Sequence, residues 1–224
     1  MSAPVRAVLL DALDTLVELQ PPAPRLRRLL AHAGFDVSEE RAATGFAAEI
    51  AYYQDHHLEG SDPERLERLR DRCAEELRRA LALPELDHAS ARRAMLGALE
   101  FRPYPDALPA LEELRERGVA LVIASNWDCS LPDWLEPTGI MELVDGVVTS
   151  AEVGAAKPDA RVFERALAVA GVASGEALHA GDKVDNDVEG ARAAGVRPVL
   201  VQREGDPPPG LEAVRSLQEL AALV

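Results

Sequence analysis

The apolar positions of this chain follow two patterns. Near the start, Val5-Arg6-Ala7-Val8-Leu9-Leu10 is an apolar run that ends in an acid, Asp11. Such a run predicts a parallel strand buried on both faces. From about residue 25 to 99 the spacing turns helical. Leu26, Leu29, Leu30 and Ala33 share one helix face, closed by Gly34. Ser38-Glu39-Glu40-Arg41 opens a second helix, which runs through Phe46, Ile50 and Tyr53 to about Leu58. Gly60-Ser61-Asp62-Pro63 breaks the chain and caps a third, carrying Leu66, Leu69, Cys73, Leu77 and Leu81. A fourth spans about 87 to 99. No convincing strand interrupts this block.

Beyond Phe101, short apolar runs alternate with helical stretches. Runs at 119–124, 146–149, 177–180 and 198–201 read as strands. Arg102-Pro103-Tyr104-Pro105-Asp106 reads as a turn and helix start. Further helices are predicted at about 132–136, after Lys157, at 187–194 and over the tail at 211–224. Strands alternating with helices predict an α/β fold with a doubly wound parallel sheet. The expected organisation is a core formed by residues 1–17 and 100–224, with a helical cap, residues 18–99, inserted after the first strand.

Composition narrows the function classes. The chain has 224 residues, 47% of them hydrophobic, enough for a sizeable core. A net charge of −15 argues against nucleic-acid and anionic-membrane partners. No apolar run approaches the ~20 residues of a membrane span. Cys73 and Cys129 lack metal spacing, and with no signal peptide visible they are expected to be reduced thiols in a cytoplasmic protein. Of 24 basic residues all but Lys157 and Lys183 are Arg, which marks those two positions.

The chemistry lies where strands end. Asp11, Ser125 with Asn126, Lys157, and Asp182 with Asp187 all follow strands or open helices, and a doubly wound sheet can gather them at one edge. Each has an ordinary structural reading as a cap or turn residue; together, in this order, they describe a site. Converging carboxylates repel one another, and a hard dication such as Mg²⁺ relieves this. Mg²⁺ beside a hydroxyl and an ammonium makes a phosphoryl site, and a carboxylate can serve as nucleophile.

The set resembles the haloacid dehalogenase-like (HAD) hydrolase superfamily, in its branch with a helical cap between the first and second motifs. The motifs are Asp11-Ala12-Leu13-Asp14-Thr15-Leu16, Ser125-Asn126, Lys157-Pro158-Asp159 with Val162-Phe163, and Gly181-Asp182 through Asn186-Asp187. The resemblance implies Asp11 as nucleophile and metal ligand. It implies the backbone carbonyl of Leu13 and Asp182 as further Mg²⁺ ligands, with Asp187 ligating or orienting the shell. Ser125 and the amide of Asn126 would hold phosphoryl oxygens, and Lys157 would neutralise charge. Trp127 is expected either to face the substrate or to pack between core and cap. His56 and His57 are expected to be solvated or capping residues.

One position departs from the pattern. Phosphatases of this family carry a second Asp two residues after the nucleophile, which protonates the leaving oxygen. Here that position is Leu13, and Asp14 stands where the family usually has Gly. The resemblance therefore implies a Mg²⁺-dependent phosphatase of a small phosphorylated metabolite, acting through an aspartyl-phosphate at Asp11 with impaired proton transfer. Two alternatives stay open: a metal-independent 2-haloacid dehalogenase-like hydrolase, and a weak or non-catalytic binding relative.

Overall fold

The computed structural model describes residues 4–224. In chain order the elements are β1 (Ala7–Leu10), β2 (Val17–Leu19), α1 (Pro22–His32), α2 (Glu39–His56), α3 (Pro63–Ala80), α4 (His88–Ala98), β3 (Phe101–Pro103), α5 (Ala107–Glu116), β4 (Ala120–Ser125), α6 (Leu131–Leu135), β5 (Gly146–Thr149), α7 (Ser150–Val153), α8 (Ala160–Ala170), β6 (Ala177–Gly181), α9 (Gly190–Ala193), β7 (Arg197–Val201), β8 (Ala213–Val214) and α10 (Leu217–Ala221). A parallel sheet runs β5-β4-β1-β6-β7-β8. The chain winds outward from β1 in both directions, which places the switch of strand order beside β1.

All four residues of β1 are fully buried. Their side chains alternate between two apolar layers. Val8 and Leu10 pack with Leu121 and Ile123 against Leu111 and Leu114 of α5 and Leu217 and Leu220 of α10. Ala7 and Leu9 pack with Val122 and Ala124 against Val162, Phe163 and Ala166 of α8. Each large side chain buried this way contributes about 1.5–3 kcal/mol.

Helices α1 to α4 enclose a separate apolar cluster built on Leu26, Leu30, Phe46, Leu69, Leu77 and Met95. Their starts are local: the side chains of Ser38, Asp62 and Asp87 accept from the backbone N–H groups of Arg41, Arg65 and Ser90. Among the described residues no helix is long and apolar enough to cross a membrane.

Several elements differ from expectation, among them the short helix α7, which the Thr149 side chain caps by accepting from the Glu152 N–H. The chain leaving the sheet and the chain returning to it pair as an antiparallel ribbon, β2 with β3. Three residues carry too little alternation to be read as a strand; the pairing exists because the two crossings run side by side. The predicted helix at 187–194 begins instead as one wide π-turn over Val184–Glu189. The tail splits into β8 and α10, because Ala213 and Val214 are drawn onto the open edge of β7.

Candidate active site

Asp11 is the first residue beyond β1, and its N–H donates to the Ala180 carbonyl at 2.9 Å. The chain then turns sharply. The N–H groups of Leu16 and Val17 both donate to the Ala12 carbonyl, and Asp14 takes φ 60°. That left-handed conformation favours Gly but is tolerated by Asp, which is why Asp14 can stand in the turn. Its carboxylate lies 3.9 Å from Lys183 Nζ. Leu13 is half-buried against the core and faces the cavity above Asp11.

Lys157 lies 146 residues from Asp11 in sequence yet places Nζ 2.7 Å from Asp11 Oδ1 and 2.6 Å from Asp187 Oδ1. All three are buried. Asn126 braces the lysine: its Nδ2 donates to the Lys157 carbonyl at 3.0 Å, and its Oδ1 accepts the Lys157 N–H at 2.7 Å. Burial favours the neutral amine at Lys157, but the two carboxylates outweigh it and hold the ammonium charged. Burial pushes the Asp11 carboxyl up, with Lys157 opposing and Asp187 adding to the rise. Ser125, buried at the end of β4, lies close enough for its hydroxyl to favour the Asp11 carboxylate.

Asp187 is the most heavily engaged carboxylate. Oδ1 accepts from Lys157 and lies 3.0 Å from His179 Nε2, while Oδ2 accepts the Lys183 N–H at 2.9 Å. Burial works to raise it, but the Lys157 charge and the His179 hydrogen bond win and hold it below the usual carboxylate range. Gly181 makes the approach feasible, because a Cβ there would collide with the Asp187 carboxyl. Gly190 does the same service for the next turn: its added Cβ would meet the Phe163 ring at 2.8 Å. Asp182 sits at the rim, paired with Lys183 Nζ at 2.5 Å. Burial lifts its carboxyl to about 6, with Lys183 opposing and Asp11 adding to the rise.

Asp11, Asp182 and Asp187 each present an oxygen, all within 4.8 Å of one another. An all-oxygen donor set suits a hard dication. Three converging carboxylates share two lysine ammonium groups here, so the residues fit such an ion. Both Asp187 oxygens are already engaged by protein donors.

The cavity above this floor has a volume of about 230 Å³ and reaches up between the sheet edge and helices α2 to α4. The Trp127 ring packs edge-on to Phe101 at 5.1 Å and also lines the cavity. Tyr53 packs against the helical cluster and also bridges to the sheet side. Its hydroxyl donates to Asp128 Oδ2 at 2.9 Å, and Asp128 Oδ1 accepts from the Ser130 hydroxyl at 2.6 Å. His56 and His57 lie outside the floor, their Nδ1 atoms 2.8 Å from the carbonyls of Tyr52 and Gln54.

Two residues escaped the sequence reading. His179 is a polar residue within an otherwise apolar strand run; it is fully buried and supports Asp187. Glu49 stands on the buried face of α2 between Phe46 and Tyr53, and lines the upper cavity wall. In each case the signal is a polar residue at a position whose periodicity is apolar.

Comparison with known proteins agrees with this architecture. The family model for haloacid dehalogenase-like hydrolases matches residues 5–195. The chain is 31% identical over 210 residues to a glyceraldehyde 3-phosphate phosphatase of Methanopyrus kandleri, covering 89% of this chain and 84% of that one. It is 38% identical over 146 residues to a phosphatase of Mycobacterium tuberculosis, covering 62% of this chain and 66% of the relative. A phosphoserine phosphatase of Thermus thermophilus matches at 41% over 132 residues, 54% of this chain and 52% of its own length. The chain thus spans under two thirds of the length of these last two relatives. Among solved structures, a HAD phosphatase from Thermococcus onnurineus superposes with a TM-score of 0.68 at 26% identity, covering 98% and 97% of the two chains. An L-2-haloacid dehalogenase from Xanthobacter autotrophicus superposes with a TM-score of 0.69 at 21% identity over 98% of each chain, a likeness of fold. With its sheet order, its four strand-end motifs and a family match across most of its length, this chain belongs to the haloacid dehalogenase-like hydrolases.

Proposed function

We propose that this hydrolase is a phosphatase of a small phosphorylated metabolite, with Asp11 as nucleophile and helices α1 to α4 acting as the cap. The observation that carries the reading is Lys157 held between Asp11 and Asp187, with Ser125 and Asp182 at the same sheet edge. The phosphatase relatives support it. An Asp11 oxygen attacks phosphorus, and the bond to the leaving oxygen breaks with its electron pair going to that oxygen. Water then cleaves the acyl phosphate, releasing phosphate and restoring Asp11. Lys157 and the Ser125 hydroxyl offset charge on the nucleophile and the phosphoryl oxygens. Mg²⁺, held by the carboxylates of Asp11 and Asp182 and the carbonyl of Leu13, would supply Lewis-acid stabilisation of those oxygens. Asp187 orients Lys157 from behind.

Leu13 has no proton to give, and Asp14 is turned toward Lys183. A missing general acid–base costs on the order of 10²–10⁴ in rate, about 3–5 kcal/mol of barrier. The leaving oxygen must therefore depart as an anion, which favours aryl and acyl phosphates over alkyl ones.

The test is turnover of 4-nitrophenyl phosphate and of an alkyl phosphate, each with Mg²⁺ and with EDTA. Aryl turnover abolished by EDTA, with the alkyl ester at least about a hundredfold slower, is the expected result. Chloride release from 2-chloropropionate that EDTA leaves untouched would replace this reading with dehalogenation. Tight phosphate binding without turnover would make the protein a binding relative.

A further inference from the structure

The cavity has a second polar feature, on the cap side and away from the floor. Glu49 is 6% exposed and opens onto the cavity from α2. Other charged groups of the upper wall are engaged. Arg70 pairs with Glu67 at 3.3 Å, and Asp128 is closed by Tyr53 and Ser130. Among the described residues Glu49 has only the Cys73 thiol beside it, a weak donor. The apolar part of this wall is formed by Ile50, Leu69, Met95 and Leu96.

An acid buried in an apolar wall without a cation is disfavoured unless something else brings the counter-charge. Burial pushes Glu49 up to about 7, with the Cys73 thiol opposing. The carboxyl is thus poised so that a cation entering the cavity ionises it fully, and the dry surroundings strengthen the pair. The cavity, at about 230 Å³, is smaller than the roughly 300–1,000 Å³ typical of drug-sized sites, so the ligand is a small molecule enclosed on several sides.

We propose that Glu49 is a specificity-determining residue that pairs with an ammonium group on the leaving part of the substrate. The substrate class is then a phosphate monoester at one end, an apolar or aromatic body between Ile50, Leu69 and Met95, and a primary or secondary amine at the far end. This assignment rests on the phosphatase reading for the phosphoryl end only. The amine subsite stands on the cap geometry.

The experiment compares kcat/KM for the phosphate monoester of tyramine with that for 4-propylphenyl phosphate, its uncharged isostere. The full-length protein with Mg²⁺ is used as wild type, Glu49→Gln and Glu49→Asp. Wild type is expected to favour the amine ester by about 30-fold or more, the loss associated with removing one partner of a buried charge pair. Glu49→Gln is expected to bring the ratio close to 1, and Glu49→Asp to restore part of it. Equal ratios in wild type and Glu49→Gln overturn the proposal, as does a wild-type preference for the neutral ester. Should neither ester turn over, the phosphatase reading fails and calorimetric titration with tyramine plus inorganic phosphate decides the subsite. Binding weakened about 30-fold or more in Glu49→Gln, with both proteins showing cooperative thermal unfolding, upholds it. Undiminished or undetectable binding sinks it.

Discussion

The floor and the roof of the cavity handle buried charge in opposite ways. On the floor, Asp11, Lys157 and Asp187 are interlocked at 2.6–2.7 Å, with His179 behind and Asn126 bracing the lysine from the side. In the roof, Glu49 sits buried in a largely apolar wall beside the Cys73 thiol. The floor is assembled from four separate strand ends and loops of one sheet, so Lys157 is already paired with Asp11 and Asp187 before any ligand arrives. The roof is a face of helices whose interior is apolar, and among the described residues its buried acid Glu49 has only the weakly donating Cys73 thiol beside it. Under the proposed function, a prepaired floor suits one invariant group, the phosphoryl, and a roof acid without a cation suits choice among leaving groups.

The strongest way to break this contrast is to unpair the floor. Lys157→Met leaves Asp11 and Asp187 buried beside each other without a cation. Breaking a buried pair by removing one partner destabilises by about 3–5 kcal/mol, so a marked fall in the thermal midpoint at pH 7 is expected. A melting temperature within a degree or two of wild type would mean the floor is not held by that network.

The roof makes the reverse prediction, and it depends on pH. Burial pushes the Glu49 carboxyl up to about 7 in the fold, from the ordinary 4.5. Below 4.5 the group is protonated in both states and there is no penalty. Between 4.5 and 7 the unfolded chain ionises while the fold keeps its proton, so stability declines as pH rises. Above 7 the loss is complete, at most about 3 kcal/mol. Glu49→Gln lacks this decline. Thermal unfolding of both proteins at pH 5 and pH 8 should show Gln gaining on wild type at pH 8. Parallel curves would show that Glu49 is better compensated than its surroundings indicate.

A smaller effect sharpens the boundary between the two regions, where Leu13 stands. Leu13→Asp is expected to raise alkyl phosphate turnover about tenfold to a hundredfold through restored proton transfer, with little change for aryl esters. An unchanged aryl-to-alkyl ratio would show that Leu13 is not the limiting defect.

The first strand, the helical block and its capping residues were legible because they depend on near neighbours. The run into Asp11 is apolar on both faces, and Ser38, Asp62 and Asp87 each cap a helix three residues on. The β2–β3 ribbon was not legible, since each strand is too short to carry a pattern and each needs the other. His179 was hidden for a related reason. Its position in β6 is read as interior, and only the approach of Asp187 over Gly181 turns it into a support for the floor.

The amino-acid order alone determined which groups stand at the ends of strands, because strand and helix periods and caps are local properties of the chain. Tertiary structure decided how those groups are used. It set Lys157 between two carboxylates, turned the Asn126 side chain into a brace, and left Glu49, among the described residues, with only the Cys73 thiol beside it. Those outcomes depend on what faces each side chain across the fold, and charge, burial and hydrogen bonding act through space irrespective of distance along the sequence.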